Sequence, residues 1–163
     1  MKFLQTLLLS LAILSIPLSA QERTHTPEYS VSADIQKQIM CVAKNIYYEA
    51  AKESHEGKLA VAQVTINRVN NPNYPSNFCG VVYQKTGATC QFSWTCMKTD
   101  EIRDKYAWEE CLYIAKRAIT ESSVHQELAK SRAMFYHASY VSPGWTNMRV
   151  VKKIGNHIFY KKA

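Results

Sequence analysis

The chain has 163 residues, of which 47% are hydrophobic and 20% charged, with five glycines and five prolines. This balance excludes a disordered or fibrous protein, and the length fits one domain rather than several. Twenty lysines and arginines against 13 aspartates and glutamates give a net charge of +7. Such a charge favours polyanionic partners, among them nucleic acid, anionic lipid and acidic wall polymers, and does not choose between them.

The first twenty residues have the layout of a secretory signal peptide. A basic start at Lys2 is followed by an apolar run from Phe3 to Ile16, and then by a helix breaker and small residues from Pro17 to Ala20. A membrane anchor is the alternative, but the run is shorter than the roughly 20 apolar residues that a spanning helix needs. We therefore predict cleavage after residue 20 and a polar linker over residues 21–32. The protein is then expected to be secreted to the periplasm or cell envelope, without stable membrane insertion.

Five cysteines follow this segment: Cys41, Cys79, Cys90, Cys96 and Cys111. An oxidising compartment permits disulfides, and the odd number leaves at least one thiol free or paired between chains. Cys90 and Cys96 enclose only five residues and can close that loop. Their spacing is not typical of a zinc site and no histidine pattern accompanies them, so disulfides rather than a metal are predicted. We expect at least one disulfide in the region between Cys79 and Cys96, and the remaining connectivity stays open.

Hydrophobic periodicity predicts the elements of a domain over residues 33–163. Ser32 can cap a helix over residues 33–51. A second helix is predicted over residues 56–69, where the β-branched residues make a strand the alternative. Residues 70–104 hold prolines, glycines and three of the cysteines, which predicts a long irregular region of the kind that is usually functional or stapled.

The rest of the chain changes from helical to strand-like patterns. Helical periodicity returns over residues 106–120, and a short helix is predicted over residues 124–129. Three strand-like runs close the chain, at residues 133–138, 149–153 and 157–161. A hairpin turn around Gly155 joins the last two. Helices first and strands last predict a single α+β domain.

Glu49 is the strongest candidate for a catalytic residue. It falls near the C-terminal end of the first predicted helix, among aromatic and aliphatic neighbours. A carboxyl group against an apolar wall has a raised pKa and can hold a proton near neutral pH, as a general acid acting on a glycosidic oxygen requires. A merely solvated helix residue is the alternative. Glu53, one turn later, is the candidate second carboxylate.

Two clusters interleave aromatic rings with hydrogen-bonding groups, which suits a sugar or single-stranded nucleic acid. One lies between Cys90 and Cys96, and the other lies in residues 136–145. Filling the core is the alternative for the aromatic residues. The candidate substrate-binding residues are Tyr48, Gln91, Phe92, Ser93, Trp94, Tyr136, His137, Tyr140 and Trp145.

Five blocks of sequence resemble the cell wall hydrolase family of the spore cortex-lytic enzymes, in that family's order. They are residues 45–50 (NIYYEA), 56–69 (EGKLAVAQVTINRV), 78–84 (FCGVVYQ), 90–94 (CQFSW) and 136–143 (YHASYVSP). The resemblance extends over about residues 39–160 and puts the family's catalytic acid on Glu49. It implies a lysozyme-like helical core with a small C-terminal β-hairpin element. Where the family commonly reads Glu-Ala-Arg-Gly-Glu, this chain has Ala51 and Lys52 in place of the Arg and Gly.

The resemblance also implies an enzyme that cleaves the MurNAc–GlcNAc bond of peptidoglycan glycan strands. Lytic transglycosylation, which forms 1,6-anhydro-MurNAc ends, needs one carboxyl group, so neither a cofactor nor a metal is expected. We expect a monomer and no nucleic-acid partner. The open alternatives are a hydrolytic muramidase that uses both Glu49 and Glu53, a wall amidase, a secreted basic nuclease and a non-catalytic glycan-binding module.

Overall fold

A computed structural model describes residues 32–97 and 101–163 of the chain. The predicted signal peptide, and all of the predicted linker except Ser32, lie outside the described residues. From Ser32 onward the described residues pack as one unit. Within this part of the chain, no helix is long and apolar enough to cross a membrane.

The four predicted helices and the three predicted strands are all present, within two residues of their predicted bounds. In chain order the elements are α1 (Ala33–Ala50), α2 (His55–Val69), α3 (Phe78–Val82), β1 (Lys85–Thr86), β2 (Thr89–Cys90), a 3-10 turn (Ser93–Cys96), α4 (Lys105–Thr120), α5 (Gln126–Ser131), β3 (Phe135–Ala138), β4 (Met148–Ile154) and β5 (His157–Lys162). The predicted α+β class is confirmed.

Side-chain caps explain where the first two helices begin. Oγ of Ser32 accepts a hydrogen bond from the amide of Ile35 at 3.3 Å, as the sequence predicted. Oγ of Ser54 accepts one from the amide of Gly57 at 3.2 Å. Each serine oxygen satisfies an amide in the first turn that has no partner within the helix. The start of each helix is therefore determined by a residue next to it in the sequence.

Helix α2 runs through the middle of the fold and is buried on almost every side. Ala62 and Ile66 pack with Ile46 of α1, whereas Val64 packs with Phe159 of β5. A helix that is enclosed all round needs apolar residues on each face. This explains why its sequence lacks a clear polar stripe and could be taken for a strand.

Residues 70–104, predicted as an irregular region, contain short ordered elements that the sequence did not reveal. Helix α3 has five residues and strands β1 and β2 have two each, which is too short for a periodic pattern. Two disulfides join Cys41 to Cys79 and Cys90 to Cys96, so the predicted disulfide is confirmed. The first of them ties α3 to α1.

Cys111 is the fifth cysteine, and its thiol is free and buried on α4. It belongs to the apolar cluster that α4 forms with α1 and α2. Burial raises the pKa of this thiol to about 12. In the described part of the chain, no group of three His, Cys, Asp or Glu side chains is placed to hold a metal ion.

The C-terminal sheet has three antiparallel strands in the order β3–β5–β4. The predicted hairpin of β4 and β5 is therefore extended by a third strand, because residues 135–138 pair with residues 157–160. The β4–β5 turn contains Gly155 with a φ of +53°, a conformation that favours glycine. This turn brings Asn156 to the end of α1.

Candidate active site

Glu49 lies in the last turn of α1 and is half-buried. Burial raises the pKa of its carboxyl group above the ordinary value, although a hydrogen bond from Tyr136 and the positive charge of Arg68 lower it in part. The C-terminal end of a helix carries a partial negative charge, which also disfavours a carboxylate there. Glu49 therefore keeps its proton to a higher pH than an exposed glutamate does.

Tyr136 of β3 donates a hydrogen bond from its hydroxyl to Oε2 of Glu49 at 3.1 Å. Its ring packs against those of Phe92, His157 and Phe159, and these contacts hold the hydroxyl in place. Burial raises the pKa of Tyr136 well above its usual range, so the hydroxyl keeps its proton and acts as a donor. The sheet thus orients the carboxyl group at the end of α1.

Arg68, near the end of α2, is a charged site residue that the sequence did not reveal. It is 3% exposed, and its Nε and Nη2 donate to the carbonyl oxygen of Met134 at 2.9 and 2.7 Å. Its Nη1 has no hydrogen-bond partner in the described part of the chain. Leaving an N–H group of a buried cation unpaired is energetically costly, so Arg68 is held beside Glu49 at the expense of local stability. The arginine within the apolar stretch VTINRV was the one sequence signal that could have revealed it.

Glu49 and Arg68 line a cavity of about 270 Å³. The other lining residues are Cys90, Gln91, Phe92, Ser93, Phe135, Tyr136 and Trp145. Glu49 is the only acidic side chain among these described residues. Aromatic rings in the wall offer flat surfaces for the apolar face of a sugar, and the polar groups offer partners for its hydroxyls.

Five of the predicted substrate-binding residues line this cavity, and they are Gln91, Phe92, Ser93, Tyr136 and Trp145. The structure places Trp94 in the core: the residue is 6% exposed, and its indole N–H donates to Oδ1 of Asn45 at 3.1 Å. Tyr48 stacks on Trp94 with the ring centres 4.6 Å apart. These two rings therefore pack the segment of residues 90–96 against α1, and neither lines the cavity.

His137 and Tyr140 also lie outside the cavity that holds Glu49. His137 lines a neighbouring cavity of about 260 Å³, which shares Trp145 with the first. Its Nε2 lies 2.8 Å from the hydroxyl of Tyr160. Tyr140 is 86% exposed and lines neither cavity.

Glu53 lies beyond the end of α1 and binds the β4–β5 turn. Its Oε2 accepts from the amide of Asn156 at 3.1 Å, and its Oε1 accepts from Nδ2 of the same residue at 3.0 Å. Partial burial raises the pKa of Glu53, but these hydrogen bonds and nearby positive charges outweigh it and lower the pKa below its ordinary value. A side chain at Gly155 would collide with Glu53, so the turn requires glycine for this contact as well as for its backbone angle. Both oxygens of Glu53 thus serve the contact between α1 and the sheet.

The family model described as Cell Wall Hydrolase matches residues 52–160, which is more than half of the chain. The chain belongs to the cell wall hydrolase family. The matched residues include Arg68, Gln91 and Tyr136, whereas Glu49 lies just before them.

Curated relatives of this cell wall hydrolase are named spore cortex-lytic enzymes. One, from Halalkalibacterium halodurans, is 27% identical over 140 residues, which cover 85% of this chain and 38% of the relative. Another, from Oceanobacillus iheyensis, is 27% identical over 145 residues, which cover 88% of this chain and 49% of the relative. The chain thus spans less than half the length of these two relatives.

Two solved structures share the fold. The catalytic domain of the germination-specific lytic transglycosylase SleB from Bacillus anthracis aligns with a TM-score of 0.58 at 24% identity, covering 82% of this chain and 98% of that chain. The catalytic domain of the Bacillus cereus SleB protein aligns with a TM-score of 0.57 at 24% identity, covering 77% of this chain and 91% of that one. The mixed fold of helices with small sheets is therefore that of the SleB catalytic domain.

The contact between Tyr136 and Glu49 predicts how this cell wall hydrolase responds to the loss of one hydroxyl. In Tyr136→Phe we expect the pKa of Glu49 to rise further, because the hydrogen bond that stabilises the carboxylate is lost while burial remains. An NMR titration of the Glu49 carboxyl carbon measures this pKa directly and does not depend on activity.

Tyr140→Phe is the matched control, since it removes the same hydroxyl from an exposed ring. We expect that variant to leave the Glu49 titration unchanged. A lower pKa of Glu49 in Tyr136→Phe would contradict the assigned direction of the hydrogen bond.

Proposed function

We propose that the protein is an exported enzyme that cleaves the MurNAc–GlcNAc bond of peptidoglycan glycan strands by lytic transglycosylation. Membership of the cell wall hydrolase family and the names of the relatives support peptidoglycan as the substrate. The predicted signal peptide supports export. In this proposal Glu49 is the catalytic residue.

The observation that carries the proposal is the single acidic side chain in the cavity. Glu49 is half-buried with a raised pKa, and no second carboxylate lines its cavity in the described part of the chain. Hydrolytic glycosidases generally place two carboxyl groups on opposite sides of the scissile bond, about 5–9.5 Å apart. Glu53, the nearest candidate for that role in the sequence, has both oxygens engaged by Asn156. A lone carboxyl group favours an internal nucleophile.

The reaction then needs one group that serves first as acid and then as base. The protonated carboxyl group of Glu49 donates its proton to the glycosidic oxygen as the bond to C1 of the muramic sugar breaks. The resulting carboxylate accepts the proton of the C6 hydroxyl of the same sugar, whose oxygen attacks C1. One C–O bond breaks, one forms, and Glu49 ends protonated as it began.

Tyr136 and Arg68 assist the step in which Glu49 is a carboxylate. The hydroxyl of Tyr136 orients Oε2 of Glu49, and the positive charge of Arg68 stabilises the carboxylate while it exists. Burial raises the pKa of Glu49 and both of these effects lower it, and burial outweighs them, so that the net shift is upward. An acid that becomes a base within one turnover needs this balance.

Product analysis of digested, purified peptidoglycan tests the proposal. Lytic transglycosylation gives muropeptides that lack one water molecule and have no reducing end. Reducing ends would overturn it in favour of a hydrolytic muramidase, and free stem peptides would favour an amidase. If the protein binds peptidoglycan without cleaving it, the protein is a glycan-binding module rather than an enzyme.

Glu53→Gln separates the one-carboxylate mechanism from the two-carboxylate alternative. We expect this variant to retain most of its activity on sacculi, because Glu53 lies outside the Glu49 cavity. We expect its free energy of unfolding to fall by about 1 kcal/mol, since the amide of glutamine cannot accept both hydrogen bonds from Asn156. Urea denaturation and loss of turbidity of sacculi measure the two effects.

A double-mutant cycle with Asn156→Ala provides the control. The two stability losses should then be strongly non-additive, because both substitutions remove the same contact. A Glu53→Gln protein that is folded and inactive would contradict the one-carboxylate mechanism.

A further inference from the structure

A second, larger cavity of about 750 Å³ adjoins the one that holds Glu49. The two cavities share Gln91 and Phe135 as lining residues, so they lie next to each other. The larger cavity is bounded by the end of α5, the end of β5 and residues 71–91. Neither Glu49 nor Arg68 lines this larger cavity.

Positive charge distinguishes this larger cavity. Arg132, Lys161 and Lys162 line it, and no acidic side chain does so among the described residues. None of these three cations forms an ion pair with a carboxylate in the described part of the chain. Lys58 and Lys152, in contrast, bind Glu110 and Glu127 at 2.6 and 2.8 Å. The charge at the cavity is therefore available to a negatively charged ligand.

Two features at this place are locally unfavourable. Arg132 ends α5 with a φ of +57°, a left-handed conformation that costs an L-residue energy and usually takes glycine or asparagine. Lys161 lies directly opposite Arg149 on the neighbouring strand, and like charges in such a pair destabilise a sheet. Sequence choices that oppose local stability are concentrated at functional sites.

The remaining lining supplies amide groups and ring faces. Asn73, Gln84 and Gln91 provide side-chain amides, and Tyr74 and Phe135 provide aromatic rings. Amides match the N–H and C=O groups of a peptide, while the cations match carboxylates. A phosphate polymer would pair with the cations and the amide N–H groups, but it has no N–H group to donate to the amide oxygens.

From this arrangement we infer that the cavity of about 750 Å³ binds the carboxylate-bearing peptide stem of the substrate. The inference rests on the proposed function, because a peptide stem is attached to the muramic sugar whose bond Glu49 would cleave. A stem that leaves a sugar bound beside Glu49 has the adjoining cavity within reach across Gln91 and Phe135. The enzyme then distinguishes glycan that carries peptides from glycan that does not.

Two substrates and three variants test this inference. The substrates are glycan strands that carry their stems and the same strands after an amidase has removed the stems. The variants are Arg132→Gly, the double substitution of Lys161→Gln with Lys162→Gln, and Lys116→Gln as control. Arg132→Gly suits the left-handed backbone angle, so we expect the fold to survive the loss of this charge. Lys116 lies exposed on α4 and lines none of the three cavities.

We expect the wild-type protein to prefer the strands that carry stems. Each test variant should lose about threefold to tenfold in kcat/KM on those strands, mainly through KM, as expected for partly exposed charge pairs. The same variants should match the wild type on stripped strands, and Lys116→Gln should match it on both. Equal wild-type rates on the two substrates, or equal losses by a test variant on both, would overturn the inference.

Binding measurements keep this inference separate from the proposed chemistry. Calorimetry with a soluble disaccharide-peptide and with the peptide-free disaccharide compares the affinities without any cleavage. Tighter binding of the disaccharide-peptide that Arg132→Gly removes would support the stem site, even for a protein that cleaves neither strand. Equal affinities for the two ligands would overturn the stem site and leave the proposed cleavage intact.

Discussion

Glu49→Gln is expected to abolish measurable clearing of peptidoglycan sacculi while leaving the fold intact. Glutamine preserves the size of the side chain and can still accept the hydrogen bond from Tyr136, but it has no proton to transfer. General acid catalysis alone typically contributes 10²–10⁴-fold, and in the proposed cycle the same group is also the base. We therefore expect a loss at or beyond the upper end of that range. Loss of turbidity, at concentrations matched by circular dichroism, measures it.

Glu49→Gln should lose activity but gain stability relative to the wild type as the pH rises. Because the pKa of Glu49 is raised in the folded protein, its contribution to stability is fully present below its unfolded pKa, near 4.5. That contribution is lost as the pH rises through the folded-state pKa. The free energies of unfolding of the wild type and Glu49→Gln should therefore differ least in acid, with the variant gaining relative stability as the pH rises.

The activity measurement decides the role of Glu49. If Glu49→Gln clears sacculi at a near wild-type rate, Glu49 is not the catalytic residue.

The second large effect is expected from removal of the disulfide between Cys41 and Cys79. The double substitution of Cys41→Ser with Cys79→Ser should lower the free energy of unfolding by about 4 kcal/mol. The bond spans 38 residues, and the chain-entropy model gives a cost of that order for a loop of this length. Urea denaturation of the oxidised proteins gives the difference.

Removal of the bond between Cys90 and Cys96 is the matched comparison. Its separation is only six residues, so the same model gives about 2 kcal/mol. The variant without the Cys90–Cys96 bond should therefore be more stable than the variant without the Cys41–Cys79 bond. The reverse order of stability would show that native-state contacts, rather than loop entropy, dominate the effect of these bonds.

Local chemistry explains which parts of the fold could be predicted from the sequence. Ser32 caps α1, and regular apolar spacing continues along α1 and α4, so these helices were predicted nearly to the residue. Strand order could not be predicted in this way. Pairing of β3 with β5 joins residues that lie from 19 positions apart (Ala138 and His157) to 25 positions apart (Phe135 and Tyr160), and no local pattern selects that partner.

In the candidate site, too, residues marked by their sequence neighbours could be predicted, whereas contacts between distant parts of the chain could not. Glu49 was found because of its place in a short block of sequence, and its raised pKa agrees with the apolar neighbours in that block. Arg68 was missed because periodicity alone does not reveal that a cation near the end of a helix is buried. Trp94 was predicted to bind substrate because its neighbours are polar, but Asn45 of α1 satisfies its indole N–H within the core.

The buried thiol of Cys111 has a consequence for how the protein acquires its disulfides. With a pKa of about 12, very little of this thiol is deprotonated near neutral pH, and thiolate is the form that attacks disulfides. Once α1, α2 and α4 have packed around it, the thiol is both unreactive and inaccessible. Before they pack, it competes with four other thiols. Burial of one residue therefore makes the order of events matter. Helices that assemble before oxidation leave four thiols, which can pair in three ways, whereas early oxidation can also trap pairs that involve Cys111.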